Sequence, residues 1–417
     1  VVRIGLYLED YRNCSDEVVN EALSNAKDAE LDLFVFPEGC YIPNDDDFWE
    51  ADIFDENGND GIFDHALDIS EDIGCAVIIG AKDINGYIYD IYANAFAEGD
   101  ETEILIYAKH TVTDNSPLEF DDYNENIDGF LKPILLKSKK IGMTICYDCN
   151  HALFSRAYGK QNVDIIINTT GGNVVYDKWY RYNRVRAMEN NCFSLCTMGY
   201  NESRKENSYT YGFTPKGSLM EPKYIYEGSR IGNIAVYDTD DVNDEYEECY
   251  NLYQAESDNA KGEMTINPDE FMNMAKDEVY SYNRDGVAYI IVKNNDIMLA
   301  EKILKEMYDT KNVGMRYMIV NVWDKLDKYY YETVLDDVLR VRSMENFCAV
   351  MLVSPEMTKC FQCGDNRTSQ VIRKIDGRYR LDLRRMGGPN VIWKNKFGMR
   401  TAWRRGYEWL LDYLNKI

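Results

Sequence analysis

The chain has 417 residues, 45% of them hydrophobic and 13% aromatic, with a formal net charge of −26. That composition excludes a disordered chain and leaves room for two or three domains. So acidic a surface repels nucleic acid and anionic membranes, and no apolar run approaches the roughly 18 residues of a membrane span.

The chain opens on a strand-like segment with no signal-peptide pattern. Its 11 cysteines are odd in number, and Cys75, Cys192, Cys196 and Cys348 sit inside apolar runs. This favours reduced thiols and a cytoplasmic location over a disulfide framework. Residues 359–417 carry 14 Lys and Arg against 5 Asp and Glu, a basic tail expected to pack against an acidic body.

Residues 2–8 read as a first strand. Residues 16–29 follow as an amphipathic helix, with Val18, Val19, Ala22, Leu23 and Ala26 at helical spacing. Residues 31–36 form a second buried strand that ends in Pro37-Glu38-Gly39. A β-α-β opening with a carboxylate at a strand's C-terminal end is where α/β enzymes place chemistry. Residues 43–61 are crowded with acids. Asp55, Asn57 and Asn59 alternate as calcium ligands do, but Asp60 stands where such a loop needs glycine, so a solvated rim loop is expected.

A helix over 63–71 and a strand over 76–80 come next, then Asn85-Gly86 as a hairpin turn. A strand over 103–108 delivers Lys109. A polar loop with Pro117 and Glu119 leads to strands over 133–136 and 141–145, the second ending at Cys146. A strand running into a cysteine and then a helix places the thiol on a sharp, exposed turn, where a helix N-terminus favours its anion. A helix to about residue 159 follows. The buried strand 163–167 ends in Asn168-Thr169-Thr170-Gly171-Gly172-Asn173, and then come a helix over 178–190, a strand over 192–198 and a last strand over 231–237.

Residues 238–248 hold Asp238, Asp240, Asp241, Asp244, Glu245, Glu247 and Glu248, a shift in composition that marks a boundary. The expected organisation is a catalytic domain over 1–240, an acidic and polar linker over 241–280, and a second domain over 281–417 with the basic tail. The second domain carries an internal repeat. Arg184-Val185-Arg186-Ala187-Met188-Glu189-Asn190 recurs as Arg340-Val341-Arg342-Ser343-Met344-Glu345-Asn346, each copy following a tryptophan (Trp179, Trp323) and preceding an apolar strand. Upstream, the order strand, helix, strand of 141–167 recurs over 287–322. Where Cys146 ends its strand, the second copy has Lys293-Asn294-Asn295, with no thiol.

Glu38, Lys109 and Cys146 each stand at the end of a predicted strand. Phe36-Pro37-Glu38-Gly39, Tyr107-Ala108-Lys109-His110 and Ile145-Cys146-Tyr147-Asp148 together resemble the three signature segments of the nitrilase superfamily of carbon–nitrogen hydrolases. Residues 184–190 resemble that family's Arg-x-Arg-Ala-x-Glu-Asn helix, and the likeness covers roughly residues 1–240. It implies an αββα sandwich, with the C-terminal part a degenerate, partial nitrilase-like α/β copy. It also implies a Glu38-Lys109-Cys146 triad without a cofactor, and a supporting glutamate at Glu119.

Chemistry assigns the roles. A thiol with a pKa near 8.5 needs activation, which Glu38 supplies as base. Lys109 and the Tyr147 backbone N–H serve the oxyanion, and Glu38 protonates the leaving amine. Tyr41, Asn168, Asn173 and Tyr176 are expected in the substrate pocket. Residues 149–154 lack the proline and Arg-Phe pair common in amidase members, and Thr169 stands where proline is frequent, so the family does not transfer a substrate.

Each residue also has a structural reading. A cysteine after an apolar strand is otherwise a small core residue, a lysine at a strand end is otherwise solvated, and Arg186 and Glu189 read as an ion pair. Two C-x-x-C pairs, Cys146/Cys149 and Cys360/Cys363, are too far apart in sequence to suggest one zinc site. His110 and His151 are poorly placed to serve Cys146 as a base.

The leading expectation is a thiol hydrolase taking a small amide or N-carbamoyl compound to an acid plus ammonia or an amine. The alternatives are a nitrilase, and an assembly protein in which the second copy recruits a partner. The partial copy could also cover the surface through which subunits of this family pair, giving a monomer where a homo-oligomer is otherwise expected.

Overall fold

The computed structural model describes residues 1–7, 16–39, 60–82, 87–110, 131–171, 174–198, 210–226, 234–240, 256–257, 262–310, 316–364, 368–388 and 410–417. The chain divides into two compact units, Val1–Glu245 and Tyr246–Ile417.

The first unit is built on two sheets. One contains β1 (Arg3–Tyr7), β2 (Leu33–Val35), β3 (Ala76–Lys82), β4 (Ile88–Ala93) and β5 (Ile104–Ala108). The other is built from β6 (Ile134–Leu136), β7 (Lys139–Ile145), β8 (Ile165–Thr170), β9 (Phe193–Met198) and β10 (Thr210–Phe213), while β11 (Tyr224–Tyr226) and β12 (Ile234–Asp238) return to the first. The strand orders are β11-β12-β1-β2-β3-β4-β5 and β10-β9-β8-β7-β6. β1, β2 and β3 are parallel, as are β7, β8 and β9, and the flanking pairs are antiparallel. The parallel strands are apolar on both faces because both are covered, so β2 and β8 are buried at every residue.

Helices α1 (Asp16–Asp28) and α2 (Asp60–Ile73) pack on the first sheet, and α3 (Ala152–Lys160) and α4 (Tyr176–Asn190) on the second. The sheets face each other through β1 against β9 and β4 against β7, which makes the four-layer αββα order. Ala22 and Ala26 of α1, and Ala29 just after it, form a buried stripe, small enough to let the helix lie close to the sheet.

The second unit contains β13 (Glu256–Ser257), β14 (Glu263–Ile266), β15 (Tyr280–Arg284), β16 (Val287–Lys293), β17 (Arg316–Val322), β18 (Ala349–Val353), β19 (Thr358–Cys363), β20 (Ser369–Ile372), β21 (Lys374–Ile375) and β22 (Arg378–Asp382). Helix α5 (Ala300–Asp309) joins β16 to β17, and α6 (Asp336–Glu345) precedes β18. The main sheet runs β13-β20-β19-β18-β17-β16-β15. Its pairings from β15 to β19 are antiparallel, parallel, parallel, antiparallel, the sequence also seen from β6 to β10.

One face of this sheet is covered from within the unit. Ile266, Phe271, Tyr379, Leu381 and Met386, on or beside the small sheet β14-β22-β21, pack on Tyr289, Met318, Val320 and Met351. The stretch 241–280, expected as linker, therefore contributes core from residue 263 onward. Its polar average hides Met264, Ile266, Phe271 and Met272, and Phe271 is fully buried.

Candidate active site

The site lies where β2, β5 and β7 end. β7 stops at Ile145, and Cys146 takes a left-handed backbone, φ +46°. Only glycine adopts this region freely, so a cysteine held there costs on the order of 1–3 kcal/mol, which the surrounding bonds must offset. Several bonds brace the turn. Asp148 Oδ2 accepts from Ile145 N at 3.1 Å, and Asn168 Nδ2 donates to the carbonyls of Thr144 at 3.2 Å and Cys146 at 3.4 Å. Residues Cys146–Asn150 form a 3-10 turn, which leads into α3.

Glu38 and Lys109 meet beside the thiol. Lys109 Nζ donates to Glu38 Oε1 at 2.6 Å, and Gly171 N donates to Glu38 Oε2 at 3.1 Å. The two side chains are nearly buried, with Glu38 8% and Lys109 5% exposed as residues. Burial works against the Lys109 cation, but the negative groups around it, Glu38 first and then Cys146 and Asp148, move its pKa up. Burial and then Glu38 push the Cys146 thiol well above its ordinary value, against the pull of Lys109, and Glu38 hydrogen-bonds it. The resting thiol is therefore neutral, with a carboxylate at hand to take its proton.

Gly80 fixes where Glu38 stands. A Cβ there would lie 2.2 Å from Pro37 O and 2.6 Å from Gly39 N, backbone atoms that cannot swing aside. Gly80→Ala is expected to move the end of β2 and cost on the order of 100-fold in kcat, as misplacement by about 1 Å does, with far-UV circular dichroism unchanged. Steady-state rates beside that spectrum check it.

Asp148 ties the elbow to the Lys109 strand. Besides Ile145 N it accepts from Tyr107 Oη at 2.9 Å and His110 N at 3.3 Å. Burial raises its pKa from 3.8 to about 6, although Lys109 and these donors pull the other way. The folded state thus binds this proton more tightly than the unfolded chain, so the group's contribution to stability falls as pH rises between about 4 and 6 and is level above. Asp148→Asn cannot ionise and is expected to flatten that fall, read as urea midpoints of parent and variant at the two ends of the window.

Tyr147 lies partly exposed after the nucleophile, its ring 5.5 Å from His151 and 6.4 Å from Trp179. Lys178 Nζ lies 5.8 Å from the Tyr147 ring. Tyr176 is partly exposed at the start of α4, with its ring 4.7 Å from Tyr211. Asn168, expected in the pocket, is 1% exposed, and its Oδ1 accepts from Thr170 Oγ1 at 2.9 Å, so its amide is used in bracing the turn. Tyr41, Glu119 and Asn173 lie outside the described residues, as do the acidic loop 43–59 and residues 365–367 and 389–409 of the basic tail. His110 is buried, stacks on Tyr107, and is held well below the usual histidine pKa, to about 3, by burial. Among the described residues no group of three or more His, Cys, Asp or Glu is arranged for a metal. Cys360 and Cys363 lie on one strand, where residues three apart point to opposite faces.

The second unit builds the same turn without the thiol. β16 ends at Lys293, and Asn294 takes φ +44°. Asn321 Nδ2 donates to Val292 O at 3.1 Å and Asn294 O at 2.9 Å, as Asn168 does around Cys146. Arg186 Nε donates to Cys149 O and Arg342 Nε to Ile297 O, both at 2.9 Å. Over the second turn, Trp323 Nε1 donates to Asn321 Oδ1 at 2.7 Å, where the first unit has the hydroxyl of Thr170. Trp323 thus stands in the place of Thr170, not of Trp179, which is inside α4; the two tryptophans taken as equivalent in sequence are not.

Residues 17–220 match the family model described as carbon-nitrogen hydrolase. The match covers slightly less than half of the chain and makes the first unit a carbon–nitrogen hydrolase domain, an enzyme domain. Among solved structures, Nit3 of Saccharomyces cerevisiae, a member of branch 10 of the nitrilase superfamily, is similar at 16% identity and a TM-score of 0.41, over 57% of this chain and 89% of that one. The NitN amidase of Nesterenkonia sp. AN1 is similar at 15% and 0.41, over 57% and 92%. A CN-hydrolase superfamily protein of Xanthomonas campestris is similar at 14% and 0.39, over 57% and 89%. No curated protein matches the chain. Among the described residues no helix is long and apolar enough to cross a membrane.

Proposed function

We propose that the first unit hydrolyses an amide or N-carbamoyl bond of a small molecule through a Cys146 thioester. The observation that carries this is the buried Lys109–Glu38 pair, 2.6 Å apart, beside a thiol held at a left-handed strand end. Glu38 accepts the Sγ proton as sulfur attacks the carbonyl carbon. Charge develops on the carbonyl oxygen, where Lys109 and the Tyr147 N–H receive it. The tetrahedral adduct collapses, Glu38 returns the proton to the leaving nitrogen, and ammonia or an amine departs. Glu38 then takes a proton from water as hydroxide adds to the thioester. The adduct collapses with cleavage of the C–S bond, and Glu38 returns the proton to the departing sulfur, which restores the thiol and frees the acid.

The second unit, in the same reading, is a partial copy of the β6–β10 layer without a nucleophile. The shared pairing order and the matching bonds of Asn168 with Asn321 and of Arg186 with Arg342 support this. An amide side chain at Asn294 cannot form the thioester, and the Trp323 indole N–H is bound to the Asn321 side chain that braces the turn.

Ammonia release over a panel of primary amides, N-carbamoyl compounds and nitriles tests the function. Turnover of amides or carbamoyl compounds is expected. Turnover of nitriles alone makes it a nitrilase, and turnover of none, with Cys146 inert to alkylation, rejects the enzymatic role.

A further inference from the structure

The three residues of the site come from two sheets. Glu38 and Lys109 follow β2 and β5, while Cys146 follows β7. Their separation is set by whatever holds the two sheets in register across the sandwich. Asp148 is one such tie, and Asp90 is a second. Asp90 sits on β4 between Gly80 of β3 and Tyr107 of β5, and it is 0% exposed. Its Oδ2 accepts from Thr169 Oγ1 of the other sheet at 2.7 Å. Thr169 is the register partner of Ile145, the residue before the nucleophile.

Charge decides in which form Asp90 works. Glu38 and Asp148 face it as acids, Lys109 as the cation, and Tyr158 of α3 as a phenol. Three buried carboxyl groups thus share one ammonium. Donors are spread unevenly among them. Asp148 has at least three, Glu38 has Lys109, the Gly171 amide and the Cys146 thiol, and Asp90 has a single hydroxyl, while its Oδ1 has no partner among the described residues. A buried carboxylate with one donor and a bare oxygen is the costliest of the three to ionise.

We propose that Asp90 is a positioning residue that works as a neutral carboxylic acid, clamping the Glu38–Lys109 sheet to the Cys146 sheet through Thr169 without adding charge beside the triad. The direction of its acidity agrees: burial, reinforced by Glu38 and Asp148 against the Thr169 hydrogen bond and Lys109, holds its proton well above the usual carboxylate range. The catalytic consequence rests on the proposed triad, but the protonation and the clamp can be read without any substrate.

Asp90→Asn keeps the shape and the acceptor for Thr169 and cannot ionise. The infrared difference between parent and Asp90→Asn at neutral pH is expected to contain the C=O stretch of a protonated carboxylic acid. Loss of a carboxylate band in its place overturns the proposal. The second reading is the rate of Cys146 alkylation by iodoacetamide, followed by mass. Asp90→Asn is expected to match the parent within about twofold near neutral pH, and a gain of about fivefold or more shows that a charge was removed, against the proposal. Thr169→Val is expected to slow alkylation at least about fivefold by releasing Cys146 from Glu38 and Lys109, and a rate equal to the parent's overturns the clamp. An acid band together with no turnover of any amide rejects the proposed function and leaves this inference standing.

Discussion

Cys146→Ala is expected to lower carbon–nitrogen bond hydrolysis by about four to six orders of magnitude, the scale on which loss of a covalent nucleophile registers. Stability should change little, because alanine meets the same left-handed backbone that Cys146 already occupies at φ +46°. Two companions separate the roles. Glu38→Gln keeps one carbonyl oxygen, which can accept from Lys109 Nζ or from Gly171 N but not take over both acceptor positions, and it cannot take a proton, so it should lose about 10²–10⁴-fold. Lys109→Met removes the cation that faces both Glu38 and the oxyanion, and because it affects the transition state it should lower kcat more than it raises KM. Continuous ammonia assays give the rates, and intact-mass spectra after rapid acid quench look for the acyl adduct. An adduct in the parent that is absent in Cys146→Ala is the expected pattern. Activity of Cys146→Ala within tenfold of the parent would remove Cys146 from the chemistry.

The parts of this site that were legible in the sequence are those whose signal is local. A run of β-branched and apolar residues ending in Glu38, Lys109 or Cys146 announces a strand end, and strand ends of parallel sheets converge. The elements follow for the same reason: β7 and β9 and the first half of β8 are apolar runs between turn residues, and the expected helix over 178–190 is α4, which starts two residues earlier and ends at the same residue. Residues that act at a distance gave no such signal. Asp148 was visible as part of a motif, but its partners Tyr107 and His110 are 41 and 38 residues away. Asp90 and Thr169 are polar residues inside strands, separated by 79 positions, and nothing in their neighbourhoods says that they meet. Gly80 reads as a strand glycine, and only the approach of Pro37 and Gly39 explains it. The tryptophans pair in sequence because each stands upstream of an Arg-Val-Arg segment, yet Trp179 lies inside α4 whereas Trp323 directly follows β17, ahead of its helical run.

Arg342→Ala is expected to destabilise the second unit by about 3–5 kcal/mol, the cost of stripping one partner from a buried ion pair. Arg342 Nη1 lies 2.5 Å from Glu345 Oε1, with side chains 0% and 4% exposed. Its Nε bonds Ile297 O at 2.9 Å, and Asn346 Nδ2 bonds the Arg342 carbonyl at 3.0 Å. One guanidinium thus joins α6 to the turn after β16, and its loss strips the Glu345 carboxylate of its cation and the Ile297 and Met298 carbonyls of a donor in the interior. Lysine cannot replace it, because a single ammonium does not span a carbonyl and a carboxylate as a planar fork does. Arg186 does the same in the first unit, pairing with Glu189 at 2.6 Å and holding Cys149 O. Arg186→Ala should carry a similar stability cost. It should also depress turnover, since Cys149 is three residues after the nucleophile in the same turn, while Arg342→Ala should leave the rate per folded molecule unchanged. Hydrogen exchange resolved by peptide can assign each loss to its unit, with faster exchange in β16–β18 for Arg342→Ala and in β7–β9 for Arg186→Ala. The double change Arg342→Met with Glu345→Leu should recover most of the lost stability, because it removes both charges together. If Arg342→Ala lowers turnover as far as Arg186→Ala does, the second unit is not a catalytically silent copy, and the division of labour proposed for the two units fails.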